Sequence, residues 1–289
     1  DTIDVVPDGH LSIRFLGIDT PEISLQYPNF VGDPNRLKWL SIDKFEQYLI
    51  DPFSANYQDS TDYKQALGSE LIDYLKNKLN EDTAKNHSEL AMMAQRKLED
   101  IVQSEVKKIE EEGKRFRFFM AFADDVMDRY GRFLCYLDTD RDQSDRNGQL
   151  TYNEQMLQSG LAVPYFIWPN VDPFIGQQRL VNAIPDINNF QKNINKSTRL
   201  KNARDYVKKA RESHIGIFGS TNPLKLLPFE LRYLSRRQPP DRYVIDLSSN
   251  RPKLLKPTQY YIIKNLEDRL FIPEEYVPLF TKSGYEQEL

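Results

Sequence analysis

The segment 14–22, which reads R-F-L-G-I-D-T-P-E, constrains this chain more than any other stretch. The mostly apolar run 11–18 predicts a β-strand, and a proline and two carboxylates follow it directly. Simple alternation would place Arg14 and Asp19 on opposite faces of that strand. Because a glycine inside a strand often marks a bulge or bend, we expect Gly17 to re-aim the residues after it. Folding alone does not require an arginine and two acids this close together, so the segment predicts a charged ligand.

A second segment, 128–132, repeats the theme and reads D-R-Y-G-R. It forms a glycine turn between two strand-like runs, 115–122 and 132–137, which predicts a β-hairpin. An arginine donates through a planar fork that suits phosphate, whereas carboxylates supply oxygens for a divalent cation or a base for water. The two segments together predict a phosphodiester that is cleaved beside a metal ion.

These motifs resemble the staphylococcal nuclease family, whose strand-end motif is R-x-x-x-x-D-T-P-E and whose second motif is D-K/R-Y-G-R. Three further stretches support the resemblance. Asp1 and Thr2 look like the end of the family's D-G-D-T strand, and 152–162 is similar to its N-E-x-L-x-x-G-L-A helix. The stretch 210–218 ends in G-I-F, which is similar to the G-I-W that ends the family's charged helix. The resemblance covers residues 1–25 and 85–218.

The predicted fold class is α+β. The order of strands and helices fits the five-stranded OB-fold β-barrel with packed helices, and the resemblance independently implies that barrel. We expect this domain to span 1–219 and to carry a helical insertion at 23–83. Residues 220–289 are predicted to be a small β-containing C-terminal extension, with strand-like runs at 243–247 and 260–263.

Helices are predicted near 37–50, 63–79 and 88–106. In the second of these, leucines recur at every fourth position from Leu67 to Leu79, which is typical of a packing stripe. The third corresponds to the family's first helix. The lone cysteine, Cys135, lies in a strand-like run and is expected in the core.

Composition limits the functions that remain. The three histidines are scattered and lack cysteine neighbours, which argues against a zinc site, and no run of eighteen apolar residues predicts a membrane span. The net charge of −4 is unusual for a protein that binds nucleic acid. Basic charge is local, because 199–242 holds eleven Lys or Arg against four acids, whereas acids predominate in 23–113. Solvated helix faces are the alternative explanation of both stretches.

The resemblance implies one calcium site. Its ligands would be the carboxylates of Asp1 and Asp19 and the backbone carbonyl of Thr20, since calcium accepts irregular sets of oxygen ligands. The alternative for Asp19-Thr20-Pro21 is a turn that ends the strand before the proline.

The resemblance also implies three catalytic residues. Glu22 would act as general base for the attacking water, and Arg14 and Arg132 would bind the scissile phosphate as negative charge builds. A structural ion pair on the hairpin is the alternative for Arg132.

Substrate contacts are implied for Arg129, Tyr130 and Tyr165, although one residue before Tyr165 is missing relative to the family pattern. Stacking of bases on such tyrosine rings tolerates any sequence. The alternative role for these aromatic rings is core packing.

The predicted function is a calcium-dependent, sugar-nonspecific nuclease that hydrolyses DNA and RNA as a monomer and leaves 3′-phosphates. Two alternatives stay open: an OB-fold that holds single strands without cutting, and a nuclease whose acidic insertion restricts it to short or unusual substrates. The compartment is open, although the resemblance favours a secreted or cell-surface protein. The chain begins at Asp1, seemingly inside a strand, so we expect it to continue upstream.

Overall fold

The computed structural model describes residues 10–26, 28, 37–57, 60–140, 149–172 and 180–288. The fold is mixed α+β with several small sheets. The strands are β1 (Ile13–Phe15), β2 (Gly17–Asp19), β3 (Ser24–Gln26), β4 (Leu37–Trp39), β5 (Phe118–Ala121), β6 (Phe133–Thr139), β7 (Val163–Ile167), β8 (Arg242–Asp246) and β9 (Arg269–Pro273). The helices are α1 (Asp43–Ile50), α2 (Ser60–Leu67), α3 (Ser69–Lys76), α4 (Thr83–Glu111), α5 (Tyr152–Gln158), α6 (Phe190–Ile194), α7 (Thr198–Glu212), α8 (Pro228–Arg236) and α9 (Val277–Lys282).

The first motif lies on two short strands that belong to different sheets. β1 pairs in parallel with β6, whereas β2 pairs antiparallel with β7. The switch occurs at Gly17, whose φ of 73° is in the left-handed region that favours glycine. The bend expected at Gly17 is therefore confirmed, and the strand predicted over 11–18 is divided in two.

The second motif joins β5 to β6, which pair antiparallel from Phe118↔Thr139 to Ala121↔Tyr136. The predicted hairpin is thus confirmed. β1, β6 and β5 form one sheet, and the chain passes from β1 into the second sheet through β2. Asp1 and Thr2, which would end the first strand of the family's barrel, lie outside the described residues, so the five-stranded barrel stays a prediction.

The C-terminal segment is continuous with the second sheet. β9 runs parallel to β7, and β8 pairs antiparallel with β9, which gives the strand order β2-β7-β9-β8. The strand predicted at 243–247 corresponds to β8. The strand predicted at 260–263 is wrong, because Pro257–Ile262 forms a 3₁₀ helix. The domain boundary at residue 219 stays a prediction.

The insertion packs against this C-terminal segment. The single helix predicted over 63–79 is wrong, because Gly68 has a φ of 77° and separates α2 from α3. Leu67, Leu71 and Leu75 are nevertheless buried, as the leucine spacing predicted. They share one apolar cluster with Phe45 of α1 and Leu231 of α8, so the insertion supports α8.

Two further expectations concern helices and the cysteine. The helix predicted over 37–50 is strand β4 followed by α1, and the one predicted over 88–106 is the longer α4. Cys135 is fully buried, as expected. In the part of the chain that the structure describes, no helix is both long and apolar enough to cross a membrane.

Candidate active site

A cleft of about 950 Å³ is lined by residues 14–18 of the first motif, by the second motif and by part of the C-terminal segment, whereas Asp19 and Glu22 are not among its lining residues. Arginines from four separate stretches line it, and we call it the arginine cleft. These arginines are Arg14, Arg129, Arg132, Arg232, Arg236 and Arg242. Asp125, Glu274 and Glu275 also line the cleft, near Tyr276. Such a concentration of guanidinium groups predicts an anionic ligand.

Arg14 and Asp19 come together because of the bend at Gly17. Arg14 Nη2 lies 3.8 Å from Asp19 Oδ1, although five positions separate the two residues. Burial lowers the pKa of Arg14, and the nearby guanidinium groups of Arg232 and Arg132 lower it further, while Asp19 opposes them. Positive charge at Arg14 is therefore costly, and a bound anion would relieve that cost.

Arg232 of α8 binds both acids of the first motif. Its Nη1 donates to Asp19 Oδ1 and to Glu22 Oε1, each at 2.8 Å, and its Nη2 donates to Asp19 Oδ2 at 2.7 Å. Burial by itself would lower the pKa of Arg232, but attraction and hydrogen bonding to Asp19, then attraction to Glu22, outweigh it and raise the pKa. Sequence reasoning did not single out Arg232, which was only one of several bases in 199–242.

Glu22 is held from its backbone as well as its side chain. Its N–H donates to Nδ1 of the buried His87 at 3.3 Å, and Nε2 of that histidine lies 2.9 Å from the carbonyl of Leu226. Because a carbonyl only accepts, Nε2 carries the proton and His87 is neutral. Burial raises the pKa of the Glu22 carboxyl, with Asp19 adding to the effect, while Arg232 opposes it. A raised pKa makes Glu22 a better proton acceptor than an ordinary carboxylate.

Arg132 reaches the same cleft from the hairpin. Its Nε and Nη2 donate to Asp128 Oδ2 at 2.8 and 2.7 Å. Burial would raise the pKa of Asp128, but hydrogen bonds from Arg132 and from the backbone of Tyr130 lower it. The ion pair proposed as an alternative role for Arg132 therefore exists, and it fixes the guanidinium group at the wall of the cleft.

Two predicted substrate contacts, Arg129 and Tyr130, lie beside Arg132. The Tyr130 ring is 60% exposed, and the Arg129 and Arg132 guanidinium carbons lie 4.9 and 5.4 Å from its centre. Arg129 Nη2 also donates to Tyr130 Oη at 2.7 Å. This exposed ring with two cations suits a base and its phosphate.

Tyr165, the third predicted contact, lies at the floor of the cleft and is only 5% exposed. Its ring stacks on Phe229 at a centroid distance of 5.4 Å, and its Oη accepts from Arg242 Nη1 at 3.0 Å. One face of the ring is therefore covered by protein. This geometry favours the alternative of core packing for Tyr165.

Asp19, the described carboxylate of the predicted calcium site, is paired with an arginine and is not open to a cation. Both oxygens of Asp19 accept hydrogen bonds from Arg232, Thr20 follows β2 at a half-buried position, and Asp1 lies outside the described residues. Calcium takes six to eight oxygen ligands. Among the described residues, no group of three or more His, Cys, Asp or Glu is arranged to hold a metal ion.

The basic stretch 199–242 serves two purposes. The α7 arginines pair with acids of the protein itself: Arg199 with Glu154, Arg204 with Asp268, and Arg211 with Glu267. Arg232, Arg236 and Arg242 line the cleft instead. Only the second group is placed to contact a ligand in the cleft.

A model of the staphylococcal nuclease homologue family matches residues 12–183. The match contains Arg14, Asp19, Glu22 and the hairpin motif, whereas Arg232 lies outside it. Comparison with curated proteins and with solved structures gives no match. The family model covers more than half of the chain and includes both motifs that meet at the cleft, so this protein belongs to the staphylococcal nuclease family.

Proposed function

We propose that this protein hydrolyses nucleic-acid phosphodiester bonds in the arginine cleft. Membership of the family suggests nuclease-like activity on nucleic acid, or binding of it. The observation that carries the proposal is the meeting of two distant motifs: Arg14 of the first motif, which lies 3.8 Å from Asp19, and Arg132 of the hairpin line one cleft. An exposed ring, Tyr130, lies beside them.

The residues divide into phosphate binding and proton transfer. Arg14 and Arg132 would bind the non-bridging phosphate oxygens, whose negative charge grows in the transition state. Glu22 would take a proton from water as the water oxygen bonds to phosphorus and the bond from phosphorus to the 5′ oxygen breaks. The leaving oxygen takes a proton from solvent. The products are a 3′-phosphate and a 5′-hydroxyl.

Glu22 has an oxygen available for this step. Arg232 donates to Oε1 only, and none of the described residues donates to Oε2. The side chain is 26% exposed, so water has access to it. Its raised pKa adds basicity.

Recognition of phosphate by guanidinium groups does not distinguish ribose from deoxyribose, which supports the proposal that both DNA and RNA are substrates. The calcium requirement expected from the family is the part of the proposal that the geometry supports least. Asp19, the described carboxylate of the implied calcium site, is already paired with an arginine.

Binding without cleavage is the second candidate function. The observation that favours it is the same pairing, because Arg232 holds both Asp19 and Glu22. A protein that had lost catalysis could retain the arginine cleft as a groove for single strands. Binding and cutting must therefore be measured separately.

The test is digestion of labelled single-stranded DNA and RNA, in calcium and in chelator, with binding followed in parallel. Arg132→Gln is expected to reduce cleavage by about 10²–10³-fold, the loss typical of a removed transition-state donor. The matched control is Arg251→Gln, because Arg251 is exposed and is not among the residues that line the cleft. We expect the control to retain cleavage within a few-fold. Binding without cleavage in either condition would replace this proposal by the second candidate.

A further inference from the structure

Arg232 donates hydrogen bonds to the two carboxylates, Asp19 and Glu22, that a divalent cation would use as ligands. Two N–H groups on Nη1 and one on Nη2 are donated to Asp19 and Glu22, at 2.7–2.8 Å. Asp19 accepts through both oxygens, so its carboxylate and the guanidinium form a two-pronged pair. A cation ligated by Asp19 would have to displace this pair.

Local charge is already balanced without a metal. Asp19 and Glu22 contribute two negative charges, and Arg232 and Arg14 contribute two positive ones. The Arg232 side chain is 11% exposed and that of Asp19 is 6% exposed. In such a buried site a cation of charge +2 would leave an uncompensated charge unless an arginine withdrew.

The surroundings of α8 fix Arg232 in place. Leu231 and Leu234 are fully buried, and Tyr48 of α1 donates to the carbonyl of Leu234 at 2.6 Å. Lys78, just beyond α3, binds the buried Glu230 carboxylate at 2.8 Å. The helix that carries Arg232 is therefore clamped by the insertion, which fixes the backbone of Arg232 beside the two acids.

The helix also begins and ends next to these contacts. Pro228 is at its first turn, and the Glu230 carboxylate accepts from the Leu227 N–H at 2.7 Å. Arg237, with a φ of 50°, ends it in the left-handed region. Because α8 is short and fixed at both ends, the position of Arg232 follows from the local sequence as well as from packing.

We propose that Arg232 is the resident cation of this site, so that phosphodiesters bind in the arginine cleft without a divalent metal. The inference rests on the proposed function only for the identity of the anion. Arg232 donates three hydrogen bonds to the two acids, whereas Arg14 lies at the longer distance of 3.8 Å from Asp19, so Arg14 can contact phosphate together with Arg132. The insertion and the C-terminal segment together thus replace a metal ion with a side chain.

The test is a calcium titration of the full chain, in which calorimetry measures the binding. Wild-type protein is expected to bind calcium no better than the double variant Asp19→Asn/Arg232→Gln. Arg232→Gln alone should bind calcium at least about tenfold more tightly than either, since it frees two carboxylates for the ion. Arg251→Gln is the matched control, because Arg251 is exposed and lies outside the cleft lining, and it should behave as wild type.

Each outcome decides the inference. Wild-type calcium binding that the double variant loses would overturn it, as would an Arg232→Gln protein that is folded and gains no calcium binding. If Arg232→Gln fails to fold, the comparison of wild type with the double variant still decides, because that variant removes both partners of the pair.

A second measurement separates this inference from the proposed function. Binding of a labelled oligonucleotide to wild type should agree within about twofold in calcium and in chelator, at matched ionic strength. Binding that requires calcium would overturn the inference. Absence of oligonucleotide binding in both conditions would instead remove the proposed function, while the calcium titration would still decide the role of Arg232.

Discussion

Replacement of Glu22 by glutamine tests the general-base role directly. Glutamine keeps the shape and an oxygen that accepts from Arg232, but it cannot take a proton. Turnover should fall by about 10²–10⁴-fold, the contribution of a positioned acid–base group. The free energy of unfolding should change by about 1 kcal/mol or less, because Glu22 is partly exposed and Arg232 keeps its paired contact with Asp19.

The assay is the pH dependence of oligonucleotide cleavage. In wild type, cleavage should decline as the pH falls through the pKa of Glu22, which is raised above the ordinary value of 4.5. In Glu22→Gln this acid limb should disappear. Glu275→Gln is the matched control, because Glu275 is an exposed glutamate that lines the arginine cleft. Near-normal turnover and an unchanged acid limb in Glu22→Gln would refute the reasoning.

Three further predictions concern stability and binding. Gly17→Ala should lower the free energy of unfolding by about 2–4 kcal/mol in urea titrations, since its φ is 73° and a Cβ would lie 2.7 Å from Tyr136 Oη. His87 has its pKa lowered from 6.5 to about 4, so its contribution to stability is complete above pH 6.5 and is lost as the pH falls towards 4. The loss should reach about 3 kcal/mol, and His87→Asn should flatten that dependence. Tyr130→Ala should weaken oligonucleotide binding by about 1–3 kcal/mol in fluorescence titrations, as expected for one lost stacking contact, with the melting temperature unchanged.

Sequence predicted the parts of the fold that depend on local pattern. The bend at Gly17, the hairpin around the second motif and the buried leucines all follow from residue type and spacing. Two local errors have local causes. Gly68 interrupts a helical pattern through a left-handed φ of 77°, and the run from Tyr260 forms a 3₁₀ helix in which the Tyr260 hydroxyl donates to Glu230 at 3.0 Å.

In the candidate site, too, sequence predicted the local contacts and missed the distant one. The motifs predicted that Arg14, Asp19 and Glu22 act together, and they are close in the structure. The partner of these acids was not predictable, because Arg232 lies 213 positions from Asp19 and its pairing depends on how α8 packs. A basic stretch in sequence does not reveal which of its members are paired internally. Here the α7 arginines are paired, and those near α8 face the cleft.

The central claim is that Arg14 and Arg132 act on one phosphodiester. The most direct test is cleavage of a labelled oligonucleotide, with product ends mapped, by Arg14→Gln, Arg132→Gln and the double variant. Residues that act as a unit lose activity non-additively. We predict 3′-phosphate ends from wild type, a loss of about 10²-fold or more in each single variant, and little further loss in the double variant. Cleavage by Arg132→Gln that stays within a few-fold of wild type would contradict the account.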